Sequence, residues 1–547
     1  MKKRFISILL CTCFTLALFS SCKSKSKNKY DTIRFPISSD PLCLDPQIAV
    51  GTPANIVINN CFEGLVRIGE NGNIIPGVAK SWSVSSDSLT YIFKLRTDSK
   101  WFLPKDLESI LGEDYEKTFD TNVTANDFVF ALKRALDPST NAPNAKSLYA
   151  IKNAQEIHSG NLSIDNLGVT AIDKYTLQIK LDYSSLNFLS VLSTPIAMPC
   201  SETFFEKTSG RYGLSNKFLI CNGPFYLSVW EKDTKLFLGA NKTYSGNDKV
   251  VPTGVRLVIN PDVSTYFSTL TGGGYDAAPI SLSDVSSLPS DMNFETNKYK
   301  NIVWSLCFNN NSSFLHNEDF RLALCHSTNL SLLQSKAYTK AEGIVPSSCY
   351  VVPGVSYRAG SNVITLSNYD VNLAKNHWKK YIEAENSPEI TLSLLCNEEH
   401  KTLIKKLVQD WQDVFGIEFS VSIVTMEKSE LQKRIYNGNY ELAFAPVFAN
   451  EFLASDFLNR FGTGSFGNVA NYSSPTYDTM LDNIRKAKNK ESLLALCKDA
   501  EKHLINDGII FPVYFEDSYI AINEKVDGLY FYPSGENVTF IKAHHKS

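Results

Sequence analysis

The chain has 547 residues, 43% apolar and 20% charged, the composition of a folded globule rather than of a disordered or fibrous chain. Three of its 54 basic residues fall in the first four positions; beyond them 51 bases face 57 acids, a net charge of −6, and no basic excess points to nucleic acid. The length allows two or three lobes, each with a core of its own.

Met1 to Ser21 have the three parts of an export signal: Lys2, Lys3 and Arg4, an apolar run from Phe5 to Phe19, and the small pair Ser20-Ser21. The run is short for a membrane span, so removal is expected after residue 21. Lys23 to Lys29 alternate with Ser and Asn and make residues 22–30 a flexible tether. In "TYIFKLRTDSKW" Tyr91, Phe93 and Leu95 share one face of a strand. Asn122 to Leu136 reads as a helix, with Ala125, Phe128, Val129 and Leu132 at three- and four-residue steps and Asp137-Pro138 as its stop. Leu177, Ile179 and Leu181 then line one face of a strand from Thr176 to Tyr183.

The second half changes character. "EITLSLLC" predicts a strand and Lys401 to Phe415 a helix burying Leu403, Ile404, Leu407, Trp411 and Val414. Gly416 is placed to end it with a positive φ, and Ile417, Phe419, Val421 and Ile423 alternate in the next strand. A helix over Glu427 to Tyr436 leads through Asn437-Gly438 to the strand "YELAFA". This strand–helix–strand–helix–strand order predicts a parallel sheet covered on both faces. Ser474-Pro475 starts a helical hairpin running to Asn506, and Gly508 releases the chain into "IIFPVYF". The class is therefore α/β, with a strand-rich first half.

No reacting constellation stands out. Gly462-Thr-Gly464-Ser-Phe-Gly467 matches GxGxxG, but polar residues follow it and the next helix starts only at Pro475, so it reads as a surface loop. Gly272 to Gly274 read as a turn. There is no HExxH or GxSxG, and the eight histidines have no ligand spacing. Nine cysteines besides Cys22 follow the leader without CxxC spacing, leaving one or two bridges open. Neither an enzyme, a metal nor another cofactor is expected.

Cys22, directly after Ser20-Ser21, resembles the lipobox of bacterial lipoproteins, in which that cysteine is lipidated and becomes the N-terminus; Phe19 stands where leucine is usual. A larger resemblance covers about Ile33 to Tyr530. "CFEGLVRIGENGNIIPGVAKSWSVSSDSLTYIFKLRTDSKW", "TANDFVFALKRALDP", "CLDPQ", "NGPFYLSVW" and "SPTYDTML" with "FPVYF" resemble, in order, landmarks of the periplasmic oligopeptide-binding proteins of ABC importers, solute-binding family 5. The first stretch keeps Phe62, Glu63, Gly64, Pro76, Gly77, Trp82, Phe93, Leu95, Arg96 and Trp101.

The resemblance implies a type II periplasmic-binding-protein fold of two main lobes and an inserted domain. Domain I would be 31–62, 184–280 and 511–547; domain II, the insertion, 63–183; domain III, the α/β lobe, 281–510. It implies a lipid-anchored, monomeric extracytoplasmic receptor that binds an oligopeptide as an added strand in the interlobe cleft and hands it to the permease subunits. By position the contacts would be Val50, Gly51 and Thr52 from one side and Phe444, Ala445, Val447, Phe448, Ala449, Asn450 and Glu451 from the other. The chain departs from the family there. Asn450 stands where an aspartate commonly holds the ligand ammonium, Phe444 near an arginine for the carboxylate, and Val447 near a tryptophan. Glu451, Glu516 and Asp517 are the acids that could replace the lost charge. Cys307 matches half of the family's bridge, whose partner position is Phe448. These departures imply a blocked, cell-wall-derived or otherwise modified peptide. The rival readings are a nickel chelate, haem or a sugar in the same fold, a structural lipoprotein, and an exported hydrolase.

Overall fold

The computed structural model describes residues 31–546 except 71, 105–106, 291, 330–338, 359–368, 386–388, 450–452, 466 and 533–536. Cys22, Asn450 and Glu451 lie outside the described residues. No helix among the described residues is long and apolar enough to cross a membrane.

Strand β1 (Thr32–Ile37) opens the fold, and helix α1 (Thr52–Cys61) follows, with proline in its first turn. A small antiparallel sheet comes next, built from β2 (Ala79–Val84), β3 (Thr90–Leu95), β4 (Val169–Asp173) and β5 (Thr176–Lys180) in the order β2-β3-β5-β4. The period-two pattern buries Tyr91, Phe93 and Leu95, and α2 (Ala125–Leu136) adds Phe128, Ala131, Leu132 and Ala135 to the same core. The helix starts at Ala125, three residues later than its periodicity suggests, because Thr124 and Asp127 form a capping box. The strand expected to reach Tyr183 ends at Lys180, where Leu181 turns to donate to the Leu89 carbonyl.

The chain then returns to lay β6 (Phe225–Glu231), β7 (Lys235–Ala240) and β8 (Gly254–Ile259) beside β1, in the order β1-β8-β7-β6. The largest sheet has seven strands. Its main path is β9-β14-β10-β13-β11-β12, formed by β9 (Ala277–Ile280), β10 (Phe294–Phe308), β11 (Ile390–Asn397), β12 (Phe419–Met426), β13 (Leu442–Phe448) and β14 (Ile510–Asn523). Strands β12 and β13 run parallel to β11, but β10 pairs antiparallel with both β13 and β14 and makes the sheet mixed. Helix α3 (Lys401–Phe415) joins the core that holds Phe444, and α4 (Lys428–Tyr436) the core that holds Ala443 and Ala445, so both faces are covered. Strands β10 and β14 stay paired from Phe294↔Asn523 to Cys307↔Ile510, with register shifts at Tyr299/Ile302 and Trp304/Ser305.

One further expectation needs correction. Ile417 is fully exposed instead of facing inward, because the strand begins only at Phe419. Gly416 does take a positive φ of 86°. Strand β9 lies before the junction expected at 280/281 and β14 spans the one expected at 510/511, and both belong to the large sheet.

Helices α5 (Ala454–Asn459), α6 (Pro475–Arg485) and α7 (Lys490–Asn506) complete the large lobe; Ser474 caps α6 by accepting from the Tyr477 amide at 3.2 Å. Two buried carboxylates tie the framework together. Glu63 accepts from Arg96 Nη2 and from the Tyr244 hydroxyl, both at 2.6 Å. Glu501 accepts from the Val345 amide at 2.8 Å, the Tyr357 hydroxyl at 2.7 Å, and Arg358 Nη2. Nine cysteines lie among the described residues, eight of them buried.

Candidate functional site

A cavity of about 630 Å³ separates the first lobe from the helices that follow β13, within the range of ordinary ligand pockets. One wall is the loop into α1. Gly51 takes φ 89° and ψ 154°, a combination that is essentially glycine's alone, and so turns Val50 and Thr52 to the cavity edge. The opposite wall is built by Gln432 and Tyr436 of α4, by Leu453, α5 and the loop after it, and by one face of α6. Four basic side chains, Arg67, Lys146, Arg460 and Arg485, and two acids, Asp456 and Asp478, line it among the described residues. Asp248 pairs with Arg67 and Asp482 with Arg485 just behind the wall, so its charges are close to balanced.

Most of these charges are held in place. Arg67 is 3.1 Å from Asp248 and 3.5 Å from Glu63. Arg460 donates to the Phe448 carbonyl at 2.5 Å, which fixes the end of β13 to the cavity wall. Asp478 accepts from the Thr463 amide at 3.0 Å. Lys146 reaches across the opening from the inserted segment and donates to the Thr463 carbonyl at 2.5 Å. A second bond across runs from Asn187 Nδ2 to the Val351 carbonyl at 3.3 Å. The ends of α6 meet the insertion as well: Arg485 lies 5.9 Å from the Tyr149 ring and Lys486 5.7 Å from the Tyr183 ring. Burial pushes the Tyr183 hydroxyl up to about 12, so it stays a neutral donor.

The residues singled out in the sequence divide sharply. Val50, Gly51 and Thr52 line the cavity. Phe444, Ala445, Val447 and Ala449 are buried and Phe448 half-buried, and none lines it. The alternation of β13 sends Phe444 into one core, against Trp304 at 5.2 Å, and Ala445 and Val447 into the other. What reaches the ligand space on this side is Gln432 and Tyr436 of α4 and the chain after the strand, between Leu453 and Arg485. Glu516 and Asp517 are engaged elsewhere. Glu516 accepts from Trp304 Nε1 with Lys428 at 3.7 Å, and Asp517 pairs with Lys298 at 2.5 Å. No group of three His, Cys, Asp or Glu side chains among the described residues is placed to hold a metal.

The glycine loop gains a role. No strand runs into it and no helix opens on it, but Gly462, Ser465 and Gly467 form part of the cavity wall, and Thr463 receives Lys146. Lys146, Asn187 and Arg485 escaped sequence reasoning because no short motif joins them. Arg485 gives no signal of its own, because a basic residue is ordinary in the last turn of a helix.

A family model described as bacterial extracellular solute-binding proteins, family 5, middle, matches residues 73–468. The dipeptide-binding protein DppE of Bacillus subtilis is 28% identical over 512 residues, covering 91% of this chain and 89% of its own length. The murein tripeptide binding protein MppA of Escherichia coli superposes with a TM-score of 0.75 at 25% identity, covering 95% of this chain and 99% of its own. Its unliganded open form gives only 0.59 over 94% and 98%, so the lobes here are disposed less like that open form. OppA of Listeria monocytogenes, bound to peptide, shares the fold with a TM-score of 0.77 at 22% identity over 95% and 100%.

Proposed function

We propose, for a chain that belongs to the bacterial extracellular solute-binding proteins of family 5, that it is a receptor taking an oligopeptide into the cavity beside Val50, Gly51 and Thr52 and presenting it to an ABC permease. The observation that carries this reading is the cavity itself: about 630 Å³, walled from two lobes, polar at both rims and bridged by Lys146 and Thr463. An extended peptide offers main-chain donors and acceptors along its length, and a receptor indifferent to side chains binds those. The loop at Gly51 supplies backbone on one side. On the other we assign the chain leaving β13, from Ala449 onward, with Phe444, Ala445, Val447 and Phe448 acting through the position of the strand; Asn450 and Glu451 belong to this stretch.

The amide at Asn450, where the family commonly has an aspartate, suits a ligand that brings no ammonium there. A blocked or cell-wall-derived peptide is such a ligand, and the free α-amino group then matters less than the carboxylate. The receptor binds without cutting, and Cys22 carries a lipid that holds it, as a monomer, on the extracytoplasmic face. The lobes are those read from the sequence, 31–62 with 184–280 and 511–547, 63–183, and 281–510, with β9 and β14 as the shared strands.

Mass spectrometry of ligands co-purifying with the protein, followed by calorimetry with one peptide in free and N-acetylated form, tests both levels. Co-purified peptides and an affinity that survives acetylation are expected. Loss of binding on acetylation would return the ammonium to an acidic partner and remove the case for a blocked ligand. Absence of any peptide, with no peptide bound on titration, would end the receptor reading.

A further inference from the structure

Two of the buried cysteines stand together. Cys61 ends α1, and Cys221 lies on the segment that leads into β6, 160 positions further along the chain. Their thiols lie within hydrogen-bonding reach of each other, and Cys61 is 0% and Cys221 1% exposed. No His, Asp or Glu joins them in a metal-holding group among the described residues.

The backbone places the pair without help from either sulfur. The Gly223 amide donates to the Cys61 carbonyl at 2.8 Å, and the Glu63 amide donates to Asn222 Oδ1 at 3.0 Å. Asn222 Nδ2 donates back to the Glu63 carbonyl at 2.8 Å. A Cβ at position 223 would sit 2.6 Å from the Cys61 carbonyl carbon, so glycine there lets the two chains approach this closely. On the other side the Phe102 amide donates to the Cys221 carbonyl at 2.7 Å.

Other thiols of the protein have partners of a different kind. Cys43 Sγ accepts from the Asp45 amide at 3.2 Å, Cys200 Sγ accepts from Arg134 Nη1 at 3.4 Å, and Cys307 Sγ donates to the Ser305 carbonyl at 3.9 Å. The group that acts on Cys61 is a second cysteine. Burial, with that neighbour, holds the Cys61 thiol well above the ordinary range, which suits a structural sulfur and not a nucleophile. The chain belongs to an extracellular family, and compartments outside the cytoplasm favour the oxidised pair.

We propose that Cys61 and Cys221 are joined by a disulfide in the exported protein. The bond closes during folding, while both thiols still meet solvent, and its oxidant is another disulfide, carried by a protein or a small molecule. The Cys61 thiolate attacks one sulfur of that disulfide and releases the other as a thiolate. The Cys221 thiolate then attacks Cys61 Sγ and releases the second. The two cysteines give up two electrons and two protons, and the oxidant ends as two thiols. The link fastens the chain entering the small antiparallel sheet to the chain leaving it. It also fixes the end of α1 opposite the cavity loop at Gly51.

Peptide mapping tests the link on the native sequence. The full chain, exported to the periplasm of a bacterial host, is denatured at mildly acidic pH with excess N-ethylmaleimide and no reductant, so that thiols are trapped before they exchange. After digestion, mass spectrometry should find Cys61 and Cys221 in one linked pair of peptides in most of the protein. That pair should be about 2 Da lighter than its two reduced halves together, and reduction before trapping should abolish it. Maleimide adducts on both cysteines in most of the unreduced protein, or either cysteine linked to a third, would overturn the proposal. The link does not depend on what the cavity binds, and either result leaves the receptor reading untouched.

Discussion

His400 is a buried imidazole whose protonation state should be readable as stability. Its ring lies on Trp304 with centroids 4.1 Å apart, Nε2 is 2.5 Å from the Tyr514 hydroxyl, and Nδ1 bonds to the Asn397 side chain. Burial first, and the Lys428 ammonium second, bring its pKa down from 6.5 to about 4. The folded state therefore favours the neutral ring, and the unfolded chain takes up the proton first as pH falls. Stability carried by neutral His400 is complete above the ordinary imidazole value and is lost between there and about pH 4. At about pH 5 an exposed imidazole is almost fully protonated and His400 about one-tenth so. The ratio of the two protonation terms is then about 30, or about 2 kcal/mol. Urea unfolding followed by tryptophan fluorescence reads this core directly, because Trp304 and Trp411 are both fully buried in it. Between about pH 7.5 and about pH 5 the wild type should lose about 2 kcal/mol more than His400→Gln, which hydrogen-bonds but does not ionise. Equal losses in the two proteins would refute a neutral, buried imidazole.

Lys146→Ala removes the bond to the Thr463 carbonyl across the cavity mouth and should weaken ligand binding about five- to tenfold, mostly through faster dissociation; stopped-flow release unchanged within about twofold would deny that the bond belongs to the bound state. Glu501→Ala strips a carboxylate from buried Arg358 and from Tyr357, and should destabilise the large lobe by about 3–5 kcal/mol in urea. A loss below about 1 kcal/mol would mean that Arg358 is satisfied without it. Gly51→Ala meets no closer atom than Pro53 Cδ at 3.9 Å, so its cost is conformational alone, about 1–3 kcal/mol at φ 89°. A thermal melt as high as the wild type's would show that the loop relaxes.

The framework was more legible than the site, for reasons visible in particular residues. Period-two runs such as Tyr91–Phe93–Leu95 and the helical stripe of α3 declare themselves because each buries one face within a few neighbours. Family landmarks were equally plain, yet Glu63 and Arg96 proved to hold each other inside the first lobes, away from the ligand space. Their spacing records how the lobes are built. The mixed pairing of the large sheet was hidden because β10 and β14 are separated by some two hundred residues, and local pattern says nothing of such partners. The cavity wall suffers the same limit: Lys146, Asn187, Thr463 and Arg485 meet only after three sheets have formed. The same alternation that made β13 easy to find also carried Phe444 and Ala445 into the two cores, so the residues nearest the family's ligand contacts in sequence are not those nearest the cavity.

The long pairing of β10 with β14 has a mechanical consequence. Two strands paired at twelve positions of β14 form a ribbon, and the register shift at Tyr299/Ile302 gives it a soft point. Such a ribbon swivels by spreading torsion over many residues while its ladder bonds stay closed. Were the lobes to close on a guest, a hinge of this kind would cost little enthalpy, and a modest differential affinity would be enough to drive the closure.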